Sequence, residues 1–210
     1  MRPTPAQLEL ACDDLARRDP VLRRAYRDVR IPQWRHAEAD FATLARAVVH
    51  QLLSVQAAAT IWRRVTDHFD GNVETQSVLR VDVESLRGCG LSRPKIAHLQ
   101  SIAQAIEGGA LSFERLAQAP YPAAHRELVS VKGIGPWTAD LFLMTALGHV
   151  DAFPGADVGL QEAYRQIAGQ EDRPPTAAFI ELAESWRPYR GVAAHLLWAW
   201  LNRQRDLSGR

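Results

Sequence analysis

Apolar residues along this chain return every third or fourth position, and Gly, Pro or a short polar run breaks each series. Leu8, Ala11, Cys12 and Leu15 fall at helical spacing, as do Val21, Leu22, Ala25 and Val29, with Asp19-Pro20 between them. Two short helices are predicted there. Ile31-Pro32 and the polar run to Asp40 read as a connection, and Asp40 is placed to cap a helix over FATLARAVVHQLL, where Leu44, Val48, Leu52 and Val55 recur. Ser54 can restart the helix, which Ala57, Ile61 and Val65 carry to Phe69. Asp70-Gly71 ends that region, and the alternation Val81-Asp82-Val83 is too short to make a strand.

The second half keeps the same period. Val83 to Arg87 predicts a short helix closed by Gly88 and Gly90. Ser92 stands as an N-cap before Arg93-Pro94-Lys95, with Ile96, Leu99, Ile102, Ala103 and Ile106 on the buried face and Gly108-Gly109 as the stop. Phe113 to Ala119 is another helix, Pro120 to Pro122 a break, and His125 to Val131 leads into VKGIGPWTADLFLM. A helix follows Asp157, Thr176 caps another, and Trp186 to Arg190 interrupts it before Gly191 opens the apolar VAAHLLWAWL. The basic residues 203–210 are expected to fray. Without a convincing strand or an internal repeat, the expectation is an all-α chain, a single domain over 1–210 made of two helical lobes with a cleft between them.

Composition narrows the classes. Of 210 residues, 47% are hydrophobic and 23% charged, an ordinary globular balance. No apolar run approaches the ~20 residues that cross a bilayer, and MRPTPAQLEL has no apolar signal core, so a cytoplasmic protein without membrane contact is expected, nucleoid-associated if bacterial. Cys12 and Cys89 alone exclude a disulfide framework and any four-cysteine metal site. The formal net charge of +1 gives no global argument for nucleic acid; such a partner requires a local basic patch.

The candidate chemistry lies between Leu128 and Leu160. Gly133-Ile134-Gly135 turns the backbone tightly between two apolar segments, and with Pro136 opening the next helix it turns N–H groups outward near a helix N-terminus. That is an anion site suited to a phosphodiester, with Lys132 beside it. An ordinary helix–helix turn would use the same residues. Asp157, after Phe153-Pro154, is either the N-cap of VGLQEAYRQI or a carboxylate available for chemistry. Asp140 lies within a helix and Asp151 precedes the Phe-Pro turn, so both read as structural. Arg93 and Lys95, at a helix N-terminus, could join Lys132 in a basic patch or be solvated surface.

VKGIGPWTADLFLM resembles the helix-hairpin-helix motif of DNA repair glycosylases, with the hairpin over about 125–147. AVVHQLLSVQAAATIWRRV, LRGCGLSRPKIAHLQSIAQAI and WRPYRGVAAHLLWAW resemble, in the same order, segments of the DNA-3-methyladenine glycosylase II family. The stretch before Phe41 is too short for the extra N-terminal domain of longer members, so a compact form is implied. The resemblance implies a monofunctional hydrolase that requires no cofactor and acts on double-stranded DNA as a monomer: it flips out and excises alkylated bases such as 3-methyladenine during base excision repair.

Residue by residue, the resemblance makes Asp157 the catalytic carboxylate, stabilising positive charge on the sugar or directing water. Trp137 and Trp198 become walls of the base pocket, where stacking on a cationic purine is worth about 0.5 to 2 kcal/mol each. Trp137 also stands where members with strand-cutting activity carry a nucleophilic lysine, so no lyase chemistry is expected. Leu52 becomes the wedge that fills the gap in the duplex, with Gln51 on the opposite strand, although Leu52 also fits the apolar period of its helix. Lys132, Gly133, Ile134, Gly135, Arg93 and Lys95 would meet the DNA backbone. The superfamily's hairpin also binds a monovalent cation, Na or K, through carbonyls that here are those of Val129, Val131 and Ile134. No cofactor is required, and no histidine pair has the spacing of metal ligands; His50 and His195 read as polar groups of a cleft or a core. Trp200 is assigned to the core. Two alternatives stay open: a glycosylase for another damaged base, such as hypoxanthine or uracil, and a helix-hairpin-helix DNA-binding module without catalysis.

Overall fold

Capping side chains and prolines set most helix boundaries in the computed structural model, which describes residues 2–207. Thr4 caps α1 (Pro5–Arg18), and Asp19 ends it and starts α2 (Pro20–Val29) by accepting the N–H groups of Val21 and Leu22 at 2.7 and 3.1 Å. Asp40 starts α3 (Phe41–His50) through the Thr43 N–H at 2.8 Å, and Ser54 starts α4 (Val55–His68) through Ala57. There follow α5 (Thr75–Arg80), α6 (Val83–Gly88), α7 (Arg93–Glu107), α8 (Phe113–Gln118), α9 (Tyr121–Val129), α10 (Pro136–Thr145), α11 (Val158–Ala168) and α12 (Thr176–Ala183). A 3-10 turn over Glu184–Trp186 precedes α13 (Arg190–Leu207). The described residues contain no β-strand, so the chain is all-α.

Several local expectations change. The helix expected over FATLARAVVHQLL stops at His50, because Gln51 turns extended and its carbonyl, with that of Val49, accepts from Lys95 of α7. The apolar period through Leu52 therefore ends early. The short α5 carried no periodic signal; Thr75 and Gln76 hold it to Glu107 of α7. Ser92 sits at the N-cap of α7 without a side-chain cap bond, and Pro175 rather than Thr176 precedes α12. The Thr176 hydroxyl instead accepts from Gln161 at 3.0 Å. Pro122 lies inside the first turn of α9, where its missing N–H costs nothing. The last helix runs on to Leu207 where a frayed tail was expected from residue 203; residues 208–210 lie outside the described residues. Trp200 is half-buried, not core, with its indole N–H on Asp28 at 3.0 Å.

The chain divides into two units, one of residues 1–36 with 143–210 and one of Ala37–Phe142. In the first, α13 packs on α1, α2 and α11, and buries Val192, Leu196, Leu197 and Leu201. Beside it Phe153, Tyr164, Phe179 and Trp186 form an aromatic cluster with ring centroids 5.4 to 6.0 Å apart. The Trp186 indole donates to Asp19 at 2.7 Å, which ties this cluster to the cap of α2. The buried Arg190 guanidinium pairs with Asp151 and Glu184, so Asp151 is structural as expected.

In the second unit α7 is the central helix, packed against α3, α5 and α6. Asp140 is buried and accepts the Tyr121 hydroxyl at 2.6 Å, also a structural role. Among the described residues no helix is long and apolar enough to cross a membrane.

Candidate functional site

The loop that carries Asp157 is fastened before the residue is reached. Gly155 lies so close to α12 that a Cβ would come 2.5 Å from Ile180, and its carbonyl accepts from Gln161 of α11 at 2.9 Å. The Asp157 N–H bonds the Pro154 carbonyl at 2.8 Å. The carboxylate then does what the cap reading requires: Oδ1 accepts the Leu160 N–H at 3.0 Å. The same oxygen also accepts the Trp198 indole N–H at 3.2 Å. Capping and chemistry are therefore not exclusive, because the cap sets the carboxylate's direction while Trp198 is held beside it. Gly159 keeps this space open; a Cβ there would lie 3.0 Å from Oδ1.

Trp198 also lies beside a segment that the periodic pattern left as a connection. The segment after Pro32 brings Trp34 and Arg35 against α13. Trp34 stacks on His195 with ring centroids 4.0 Å apart, and His195 meets Trp198 edge-on at 5.7 Å. The Arg35 guanidinium carbon lies 4.1 Å from the centre of the Trp198 ring. His195 anchors the segment: its Nε2 accepts the Arg35 backbone N–H at 3.0 Å and its Nδ1–H donates to the Gly191 carbonyl at 2.7 Å. Both nitrogens are used only if the ring is neutral. Burial enforces that state and brings its pKa down to about 4. A depression of about 540 Å³ opens here, lined by Trp34, Arg35, His195, Trp198 and Asn202 among others. The legible signal for Trp34 and Arg35 was an aromatic next to an arginine in a Pro-led stretch with no helical period.

In the other unit the hairpin of α9 and α10 is built around Gly133. Its φ of +101° is a left-handed conformation, and a Cβ would come 2.5 Å from that of His98 on α7. Ile134 is buried and anchors the turn, Lys132 is exposed, and Trp137 is half-buried in the first turn of α10. The Val131 carbonyl accepts the Ile134 N–H at 3.0 Å. Leu52, between α3 and α4, is fully exposed with a φ of +58°, and Leu53 and Val55 beside it are exposed as well. An apolar side chain in that backbone conformation is uncommon and unfavourable, which marks the position as one held for a purpose other than packing.

Gln51 reaches the hairpin itself, its amide donating to the Gly133 carbonyl at 3.2 Å and the Thr138 hydroxyl at 2.9 Å. The Lys95 ammonium donates to the carbonyls of Val49 and Gln51 at 2.6 and 2.8 Å and so braces the loop that presents Leu52. Gln51, Lys95 and the hairpin are thus one connected assembly, whereas Arg93 stands apart and faces Glu84 at 3.6 Å. His50 is half-buried, and burial lowers its pKa.

Residues 45–188 match the model of the HhH-GPD superfamily base excision DNA repair proteins. The chain belongs to that superfamily. Among its relatives in this superfamily are DNA-3-methyladenine glycosylase 1 of Schizosaccharomyces pombe, 31% identical over 75% of this chain and 71% of its own length, and a DNA-3-methyladenine glycosylase of Bacillus subtilis, 25% identical over 88% and 65%. A second Bacillus subtilis relative, named as a putative DNA-3-methyladenine glycosylase, is 28% identical over 74% of this chain. The chain spans 56% and 65% of the lengths of those two Bacillus relatives. The solved structure of the Schizosaccharomyces pombe 3-methyladenine DNA glycosylase with abasic DNA superposes with a TM-score of 0.83 at 26% identity, over 96% of this chain and 98% of that one. The 8-oxoguanine glycosylase/lyase of Clostridium acetobutylicum, at 14% identity, shares the fold at a TM-score of 0.77.

Proposed function

We propose that this superfamily member is a monofunctional DNA glycosylase that hydrolyses the bond between deoxyribose and an alkylated purine, 3-methyladenine and its like, in duplex DNA. The observation that carries the reading is the Asp157 carboxylate, held by the N-terminus of α11 and by the Trp198 indole. As the bond to the base breaks, C1′ of the sugar gains positive charge. A fixed carboxylate stabilises that charge and can orient the incoming water, an effect typically worth 10²- to 10³-fold in rate. A binding module has no use for a carboxylate near phosphates, where it repels.

The remaining roles follow the chemistry of each residue. Alkylation at a ring nitrogen makes the purine a cation and weakens its bond, so recognition by stacking on Trp198 and Trp137 suffices without a general acid. Trp137 offers an indole where a lyase needs an amine, so the product is an abasic site in an intact strand. Flipping the base costs a few kcal/mol, and the exposed Leu52 supplies an apolar group to fill the gap. Gln51 acts from its seat on the hairpin, and Lys132 with the Gly133 to Gly135 turn takes the phosphates, joined by Arg93; Lys95 serves them through the loop it braces. The carbonyl oxygens of Val129, Val131 and Ile134 are hard donors of the kind that hold Na or K, and such an ion would stiffen the turn under the phosphate. The enzyme works as a monomer in the cytoplasm, at the nucleoid if the source is bacterial.

The test is a release assay on duplexes carrying one 3-methyladenine, 7-methylguanine, hypoxanthine or uracil, analysed without alkali. Release of the alkylpurines with unbroken strands is expected. Strand cutting in those samples, or release of uracil alone, would overturn the reading.

A further inference from the structure

We propose that Arg35 is a specificity-determining residue that weighs the Trp198 site toward bases departing with negative charge and against bases carrying positive charge. This rests on the glycosylase reading above. Its guanidinium lies 4.1 Å from the centre of the Trp198 ring, in the position a cationic base would take to gain from the indole's electron-rich face. The Arg35 side chain is exposed, but the backbone that carries it is held in place. The Arg35 backbone N–H is fixed on His195 at 3.0 Å, His195 is fixed in turn on Gly191, and the preceding Trp34 is stacked on the same imidazole.

The geometry limits how far the charge can withdraw. With the backbone pinned at His195, the guanidinium is tethered beside the Trp198 site even when an entering base displaces it from the ring face. Arginine remains protonated throughout the accessible pH range, so the charge is permanent. The Asp157 carboxylate attracts it further toward the site. A base stacked on Trp198 therefore meets a tethered positive charge, and the two classes of lesion respond with opposite sign.

An alkylpurine that is already cationic is repelled in the bound state. It leaves as a neutral molecule, so the repulsion is relieved as the bond breaks; measured from free enzyme and duplex, the guanidinium weakens binding of the cationic base and gives its departure no stabilisation. A neutral purine behaves differently. Cleavage of the C1′–N9 bond gives both electrons to N9, and the negative charge spreads to the ring nitrogens and the exocyclic oxygen, where guanidinium N–H groups can stabilise it. Water supplies the hydroxyl that adds to C1′ and the proton that finally neutralises the base. The stabilisation grows as charge develops, which is the condition for raising the rate rather than only the affinity.

The discriminating experiment measures single-turnover release, at enzyme concentrations below saturation, of hypoxanthine, a neutral base, and 7-methylguanine, a cationic one, from otherwise identical duplexes. Wild type, Arg35→Gln and Arg35→Lys are compared. For Arg35→Gln the ratio of hypoxanthine to 7-methylguanine release should fall at least about tenfold, with the 7-methylguanine rate unchanged or higher, while Arg35→Lys, which keeps the charge, should retain most of the wild-type ratio. Circular dichroism of each variant shows whether the fold is kept, and the lysine variant separates loss of charge from loss of packing. An unchanged ratio in Arg35→Gln, or equal losses on both bases, would overturn the assignment of Arg35 alone and leave the glycosylase reading standing. Release of neither base by the wild-type protein would overturn both.

Discussion

Asp157 and His195 show how one side chain's hydrogen bonds decide what it can do. Asp157 caps α11 and takes the Trp198 indole with the same oxygen, so an asparagine there can keep the cap while losing the charge. His195 is buried between Arg35 and Gly191 as a neutral ring, which makes it an anchor rather than an acid or base at neutral pH. Its ordinary pKa of 6.5 falls to about 4 in the fold. Above pH 6.5 both folded and unfolded chains hold it neutral, and its contribution is constant. Between about 6.5 and 4 only the unfolded chain takes the proton, so stability falls as pH falls, by on the order of 3 kcal/mol across the window. Below about 4 both states are protonated and the slope ends. Urea unfolding of wild type and His195→Gln from pH 7.5 to 4.5 should show the wild type losing its advantage in that window; parallel profiles would count against the buried neutral imidazole.

At the scale of elements, the loop between α3 and α4 is the part whose shape serves no packing end. Leu52 has a positive φ and full exposure, a combination that costs roughly 1 kcal/mol and returns no buried area. Leu52→Gly should therefore leave the melting temperature unchanged or slightly raised while slowing base release about tenfold or more. A variant that releases base at the wild-type rate would remove the wedge role, and one that melts much lower would mean Leu52 packs after all. The caps at Asp40 and Ser54 were legible in the sequence because each acts on an N–H group three residues away, whereas Asp19 was read only as part of the break between two helices. The end of α3 was not, because the donor that stops it, Lys95, comes from α7. For the same reason α5 escaped notice: Glu107 of α7 receives its first two side chains.

At the scale of the whole molecule, a net charge of +1 leaves function to local constellations, and their legibility follows the range of the interactions that build them. The all-α class, the hairpin glycines and the Asp157 loop could be read from the chain because a local backbone requirement imposes each of them. Gly133, caught between a left-handed φ and His98, is the clearest case. Trp34 and Arg35 were missed, since an aromatic beside an arginine in an irregular connection does not by itself say which partners it will meet. Only the return of α13, far along the chain, gives them His195 and Trp198 as partners. In the proposed reaction Asp157 performs the chemistry. Single-turnover release of 3-methyladenine from a methylated duplex by wild type and Asp157→Asn, with duplex binding followed by fluorescence anisotropy, tests it most directly. Release should fall at least about 100-fold with binding kept within about twofold; release by the variant at the wild-type rate would contradict the account.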